Sequence, residues 1–164
     1  MLKIKFIIPA LLIIVTGCSK QVRNAKPRHS SKTNMDSLYV VLAVKDITAK
    51  GKKADLKFIV RNDNSRGKSF CKWHTPYEPL MSKYFDITDE QGNEVSYTGP
   101  MAKRATPPPA ESYLVVNPQD TIVTNVNLLK GYALIEGKTY IVSYNSSSIS
   151  GLRATNTVKF RFGN

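Results

Sequence analysis

The pair Cys71 and His74 is the first place in this sequence where nucleophilic chemistry has to be considered. A thiol three residues from an imidazole could form a Cys–His dyad, in which the histidine takes the proton from sulfur. Side chains at positions i and i+3 of a strand, however, point to opposite faces, unless the chain turns between them. The second histidine, His29, lies in a polar stretch near the N-terminus. We therefore assign no catalytic residue and interpret Cys71 as a small, buried apolar side chain.

The sequence gives no better support for a metal site, a cofactor site or nucleic-acid binding than for the Cys71–His74 dyad. Two histidines in unlike surroundings do not provide the common multi-histidine zinc sites, and no His-Glu-x-x-His motif is present. The sequence has no glycine-rich phosphate loop, and its aromatic residues recur at strand spacing, which core packing explains before a nucleic-acid platform does. We therefore predict no metal, no cofactor and no nucleic-acid partner, and a protein that is not an enzyme.

The chemistry that the sequence does indicate is covalent lipidation of Cys18. Residues 1–17 begin with lysines at positions 3 and 5 and continue with an apolar run of ten residues. Such a run is too short to span a bilayer, which needs about 20 residues, and is typical of a secretory signal peptide. It ends in Val-Thr-Gly-Cys, which resembles a bacterial lipobox, so Cys18 is predicted to become the acylated N-terminus. An ordinary signal peptide with a chance Gly-Cys is the alternative.

Positive charge is concentrated beside the predicted anchor. The chain of 164 residues carries 24 Lys and Arg against 12 Asp and Glu, which gives a net charge of +12. Residues 18–37 are basic and almost free of apolar side chains, so they are predicted to form a flexible tether. The tether is a solvated spacer or, alternatively, a segment attracted to anionic lipid or lipopolysaccharide. The predicted location is the bacterial cell envelope, and the outer membrane if the host is Gram-negative, because no aspartate follows Cys18.

Short strands must position any functional residue in the remaining domain, residues 38–164. Apolar and polar residues alternate with a period of two along most segments, and turn residues separate the segments. This pattern predicts an all-β, antiparallel two-sheet sandwich, immunoglobulin-like in plan. Tyr140 is expected to form a tyrosine corner, in which the phenol hydroxyl bonds to upstream backbone. Only residues 131–137 are expected to hold a helical turn. The predicted strands are 38–47, 54–61, 69–73, 84–88, 94–97, 113–116, 121–128, 139–144 and 158–162.

Two segments go beyond what a generic β-sandwich requires. The first is Lys-Trp-His-Thr-Pro at residues 72–76, and the second is Tyr-Thr-Gly-Pro-Met-Ala-Lys-Arg at residues 97–104. Together they resemble the N-terminal pro-domain of deuterolysin-like (aspzincin) metallopeptidases, the group that contains peptidyl-lysine metalloendopeptidases. The resemblance covers residues 38–162 and includes a strand at 137–144 that is similar to the family's "Pro-Gly-x-Tyr-x-Val-x-Tyr".

The resemblance implies a domain that folds beside a zinc peptidase, assists its folding and blocks its cleft. The peptidase domain, with its His-Glu-x-x-His motif, is not found in the sequence. The resemblance therefore implies a membrane-anchored lipoprotein that binds and inhibits, or assists the folding of, a deuterolysin-like zinc metallopeptidase in trans. The alternative is an envelope-exposed interaction module that binds peptide, glycan or another envelope protein by a sheet edge.

The loop at residues 99–112 is the predicted protease-binding segment. It is polar, and its three consecutive prolines favour a polyproline II conformation that lowers the entropy lost on binding. Met101, Lys103 and Arg104 are the candidate contact residues, and Lys103 or Arg104 would enter the acidic pocket of a lysine-specific peptidase. A solvated loop whose charges aid solubility is the alternative.

The segment at residues 72–76 is interpreted as a structural motif. Its members are Lys72, Trp73, His74, Thr75 and Pro76. Trp73 is expected in the core or at a sheet edge. His74 is expected to hydrogen-bond to backbone and so hold the turn before Pro76.

Overall fold

The computed structural model describes residues 37–44 and 53–163. The predicted signal peptide at 1–17 and the lipidated Cys18 lie outside these residues, as does all but the last residue of the predicted tether at 18–37. None of the helices in the described part of the chain combines the length and the apolar composition needed to cross a bilayer.

The described part of the chain is all-β, as the alternation of apolar and polar residues predicted. Two 3₁₀ turns, Ala110–Ser112 and Leu128–Lys130, and one short helix, α1 (Ser147–Ser150), interrupt the strands. The strands are β1 (Tyr39–Val44), β2 (Asp55–Arg61), β3 (Lys68–Cys71), β4 (Phe85–Asp89), β5 (Tyr113–Val116), β6 (Thr121–Asn127), β7 (Thr139–Tyr144), β8 (Arg153–Ala154) and β9 (Val158–Arg161).

The expectations for two segments were wrong. The predicted strand at 94–97 is reduced to two isolated bridges, one from Glu94 to Thr88 and one from Tyr97 to Tyr132, because the chain leaves β4 after a single pair. The predicted helical turn at 131–137 is not helical, and α1 lies at 147–150 instead. Gly151, with φ of 79°, ends α1 in the left-handed conformation that glycine adopts without strain.

The strands form three sheets. The first has the order β6-β2-β1-β8, the second β4-β7-β9, and the third contains β3 and β5. The pairings are antiparallel except for the short parallel contact of β8 with β1. β1 pairs with β2 so that Leu42 stands opposite Phe58, and one face of the first sheet carries a continuous set of buried residues.

The buried faces of the first two sheets pack directly on each other through aromatic rings. The ring of Phe58 on β2 lies 6.3 Å from that of Phe85 on β4 and 5.2 Å from that of Tyr144 on β7, both edge-on. Burial of each such side chain contributes about 1.5–3 kcal/mol to folding. This contact fixes β4 and β7, and with them the segments that precede and follow them.

Tyr140 makes the contact predicted for it. Its hydroxyl oxygen accepts a hydrogen bond of 2.8 Å from the backbone N–H of Ile135, five residues upstream, and its ring is buried. The bond ties the chain before β7 to the start of that strand, which confirms the expected link between the phenol and upstream backbone.

Candidate functional site

Arg104 joins the segment at residues 97–104 to the segment at residues 72–78. Its Nη2 donates to Oε2 of Glu78 at 2.7 Å, and its guanidinium carbon lies 5.0 Å from the ring centroid of Trp73. The side chain of Glu78 is only 8% exposed, and that of Arg104 is 26% exposed. A charge-assisted bond and a cation–π contact therefore hold residues 97–104 against residues 72–78.

The chain turns sharply at residues 72–78, and side chains of the same segment hydrogen-bond to backbone groups of the turn. Thr75 Oγ1 donates to the carbonyl oxygen of Lys72 at 2.6 Å, as in a local side-chain turn. His74 has a φ of 58°, which is uncommon for a residue with a side chain, and its N–H donates to Glu78 Oε1 at 3.0 Å. The hydroxyl of Tyr144 on β7 donates to Ser150 Oγ at 2.6 Å and lies 3.1 Å from the carbonyl oxygen of His74, so the turn packs against the second sheet.

The expectation for His74 was right about the turn, but the backbone of the residue makes these bonds. The imidazole is half-buried beside Arg104 and Glu78. Burial lowers the pKa of His74 below its usual 6.5, the Arg104 charge lowers it further, and Glu78 opposes the change. Of the other residues in this segment, Trp73, Thr75 and Pro76 are buried and Lys72 is half-buried. Such burial is what we expect of residues that stabilise the fold.

Close packing explains the glycine in the second segment. The hydroxyl of Tyr97 lies within hydrogen-bond distance of the carbonyl oxygens of Pro100, at 2.8 Å, and Leu80, at 3.3 Å. A Cβ atom at Gly99 would stand 2.6 Å from that hydroxyl, and one at Gly131 would stand 2.7 Å from the Tyr97 ring. Both positions need a residue without a side chain, so the Tyr-x-Gly spacing follows from the ring lying over its own loop.

The three predicted contact residues of the loop are placed differently. Met101 is 69% exposed and Lys103 is exposed, whereas Ala102 and Arg104 are half-buried. The N–H of Ala102 donates to the carbonyl oxygen of Met81 at 2.7 Å, which fixes the strand-like alternation of this segment. The structure therefore brings Met101 and Lys103 to the surface and turns Arg104 towards the protein.

The remainder of the loop is extended and anchored at its end. Pro109 has φ of −69° and ψ of 160°, a polyproline II conformation, whereas the Thr106–Pro107 peptide bond at the start of the proline run is cis, so the predicted conformation is seen at Pro109 only. The 3₁₀ turn at Ala110–Ser112 follows, and the carbonyl oxygen of Ser112 accepts the N–H of Lys72 at 2.7 Å. Both ends of the loop are thus fixed to the segment at 72–82.

An open depression of about 440 Å³ lies beside Met101. Lys83, Glu94, Ser96 and Tyr97 line the rest of it. Lys83 forms ion pairs with Glu94 and, at 3.2 Å, with Asp86, so the charges of the depression are largely neutralised by one another. Its shape and mixed lining suit a side chain of a protein partner better than a buried small ligand.

The described residues offer limited means for metal or nucleophilic chemistry. No group of three or more His, Cys, Asp or Glu side chains in residues 37–44 and 53–163 could hold a metal ion. Cys71 is buried and free, as expected for a small apolar residue. The contacts of Arg104 with Glu78 and Trp73 hold the loop at residues 99–112 in position.

Glu78 is the residue of this contact that sequence reasoning missed. It follows the Trp-His-Thr-Pro segment by two residues and is one of few acidic residues in a basic chain. A lone acidic residue beside a buried motif, with an arginine in the second motif, is the signal that could have indicated this pair.

Comparisons with known proteins add no relative. No protein-family model matches the chain, and no curated protein gives a significant match. The interpretation of function therefore depends on the geometry of the loop and on the motif resemblance.

Proposed function

We propose that this protein is a membrane-anchored lipoprotein that binds a deuterolysin-like zinc metallopeptidase in trans and inhibits it or assists its folding. The resemblance of residues 72–76 and 97–104 to pro-domains of that family supports the proposal. The loop at 99–112 would make the contact, with Met101 and Lys103 as the side chains that reach the peptidase. The protein would act by occupying a cleft and would catalyse no reaction itself.

The observation that carries the proposal is the fixed base of this loop. Arg104 is held by Glu78 and Trp73, and Ala102 is bonded to Met81, so the backbone on both sides of Lys103 is anchored. A loop held in place before binding loses less conformational entropy in the complex than a free one. Lys103 then presents a long cationic side chain from a rigid support, which suits an acidic specificity pocket.

The fold we propose is an immunoglobulin-like sandwich. The order β6-β2-β1 in one sheet and β4-β7-β9 in the other corresponds to the two sheets of that plan, with Tyr140 at the start of the strand that carries the tyrosine corner. The contact of Phe58 with Phe85 across the two sheets supports this arrangement. In such sandwiches binding loops cluster at the ends, where a peptidase can reach them.

Titration of the protein into a peptidyl-lysine metallopeptidase tests the function. Lys103→Ala should weaken inhibition by about 10–1,000-fold, because the pocket's acidic group would be left unpaired. Lys53→Ala is the matched control, since Lys53 is also exposed but lies in a distant part of the sequence. Equal, small, salt-sensitive losses at both positions would point to general charge attraction and contradict the loop contact. No binding of the parent protein to any such peptidase would reject the inhibitor function itself.

Attachment to the membrane is proposed to depend on Cys18. The lipobox-like Val-Thr-Gly-Cys ending at this residue and the basic residues after it support an acylated N-terminus in the cell envelope. Cys18→Ala should remove the lipid and leave an unprocessed protein, measured by metabolic labelling with a fatty acid and by membrane fractionation. A variant that is still labelled and fractionates like the parent would contradict the anchor.

An envelope-exposed interaction module is the second candidate function. Tyr113 and Val115 project from β5, which pairs only with β3 among the described strands, and Val115 is 67% exposed. An exposed edge with apolar side chains suits the addition of an extended peptide. Loss of envelope-partner capture in Val115→Lys, together with unchanged capture in Lys103→Ala, would favour this function over the first.

A further inference from the structure

Strand β6 is the longest open edge among the described sheets. It spans Thr121–Asn127 and pairs only with β2 in the part of the chain that the structure describes. Its sequence, Thr-Ile-Val-Thr-Asn-Val-Asn, contains no charged residue and no proline. Proteins usually protect edge strands with lysine, proline or bulges, because unpaired backbone groups invite another strand. An edge of this length without such protection is open to pairing with another strand.

The alternation of hydrogen bonds between β2 and β6 shows which backbone groups of β6 do not bond to β2. Bonds continue the β2–β6 ladder at both ends, from Leu128 N–H to Ala54 O and from Asn62 N–H to Asp120 O, each at 2.9 Å. Because bonded positions alternate in an antiparallel pair, the even-numbered residues of β6 bond to β2. The N–H and C=O groups of Thr121, Val123 and Asn125 therefore point away from β2, but the N–H of Thr121 already donates to Oδ1 of the neighbouring Asp120 at 2.7 Å.

An apolar row on the outer face of the sheet ends at this edge. Val41 on β1, Ile59 on β2 and Val123 on β6 stand directly opposite one another in the strand register. Val41 and Ile59 are half-buried, and Val123 is 51% exposed. The row is therefore partly covered on β1 and β2 and exposed to solvent on β6.

We propose that β6 pairs antiparallel with β6 of a second copy of this chain, about a two-fold axis at Val123. The odd-numbered residues of the two strands then face each other, so about four backbone hydrogen bonds form between the copies, two between the Val123 residues and two from Asn125 N–H to Thr121 C=O. Val123 meets its own copy, and Thr121 stands opposite Asn125, which are pairs without charge. The apolar row continues across the axis through Ile59 and Val41 of both copies.

The absence of charge on β6 favours a second copy over another partner. In this register Val123 on the axis meets its own copy and Thr121 meets Asn125, so the pairing brings no charged side chain of Thr121–Asn127 into contact. An acidic or basic peptide would find no counter-charge on the strand itself. The pairing is independent of the proposed peptidase binding, which uses the loop at 99–112.

Cysteine cross-linking of the full chain in cells tests the pairing. In Val123→Cys, the two Cα atoms across the axis would lie about 5.5 Å apart, within the range for a disulfide. Mild oxidation should therefore give a dimer on a non-reducing gel that reductant reverses. Ile135→Cys is the matched control, an exposed apolar residue outside the strands that should stay monomeric. Equal cross-linking at both positions would overturn the proposal.

A charge at the axis provides a second test that does not depend on oxidation. Val123→Lys places like charges against each other and should raise the dissociation constant of the dimer at least about tenfold, measured by sedimentation of the purified full chain in detergent. Ile135→Lys should leave the dissociation constant unchanged. A parent protein that is monomeric at about 100 µM, or a dimer that Val123→Lys does not weaken, would overturn the proposal.

Discussion

Removal of the Arg104 guanidinium tests how the two motif segments are held together. Arg104→Ala deletes the 2.7 Å ion pair with Glu78 and the 5.0 Å contact with the ring of Trp73. Glu78, whose side chain is 8% exposed, would keep the N–H of His74 as a donor but lose its counter-charge. Removing one partner of a buried pair costs about 3–5 kcal/mol, and a cation–π contact contributes about 0.5–1 kcal/mol. Because water reaches part of the arginine, we expect a loss of about 2–4 kcal/mol in the free energy of unfolding.

Urea unfolding followed by tryptophan fluorescence measures this loss. Trp73 is the single tryptophan of the chain and lies under the guanidinium, so its emission reports on the same contact. Arg104→Lys keeps the charge but not the planar fork and should cost about 1–2 kcal/mol. A double-mutant cycle with Glu78→Gln should show a coupling energy of about 1–3 kcal/mol.

The control for this series is Arg66→Ala. Arg66 is exposed in the turn after β2 and should change the free energy of unfolding by less than about 0.5 kcal/mol. If Arg104→Ala were no more costly than Arg66→Ala, or if its effect added to that of Glu78→Gln without coupling, the argument for an anchored loop would be refuted.

Two further residues give predictions of the same kind. Tyr140→Phe leaves the N–H of Ile135 without its acceptor and should lower the free energy of unfolding by about 1–3 kcal/mol, measured by urea denaturation; a change below about 0.5 kcal/mol would contradict it. His74→Gly suits a φ of 58° and should be as stable as the parent or more so, whereas His74→Val should cost about 1–3 kcal/mol. Since burial lowers the pKa of His74 below 6.5, the unfolded chain binds more protons there, and stability should fall as pH drops through 6.5. His74→Gly should remove that part of the pH dependence, and an unchanged slope would show that another group is responsible.

Most of the strands could be predicted from the sequence because one face of each sheet is buried. Alternation predicted β5 at 113–116 and β7 at 139–144 with the bounds that the structure has. Where a segment is too short to show a period, the prediction failed: β8 has two residues and α1 has four. The segment at 94–97 alternates, but Tyr97 packs over Gly99 and pairs with Tyr132, which takes the chain away from β4.

The sequence could indicate the two motif segments but not the contact between them. Arg104 and Glu78 are 26 residues apart, and each looks like a solvated surface charge when read alone. The same limit applies to Asn62, which lies at the start of the turn-rich stretch Asn-Asp-Asn-Ser-Arg-Gly after β2. Its side-chain amide is buried and bonds to the carbonyl oxygens of Val116 and Asn117, each at 2.9 Å, so it fixes the link between β5 and β6. Both cases depend on partners that only the tertiary fold supplies.

The side chain of Arg104 holds the loop in position, whereas the side chain of Lys103 is available to a partner. With Arg104 bound to Glu78, Lys103 is the cation that residues 99–112 present to solvent. Lys103→Ala should therefore reduce peptidase binding while leaving the free energy of unfolding within about 0.5 kcal/mol of the parent. Arg104→Ala should reduce both, because the loop loses its anchor before it meets a partner. If instead Arg104→Ala lowered stability and left binding intact, the fixed base of the loop would have no part in recognition.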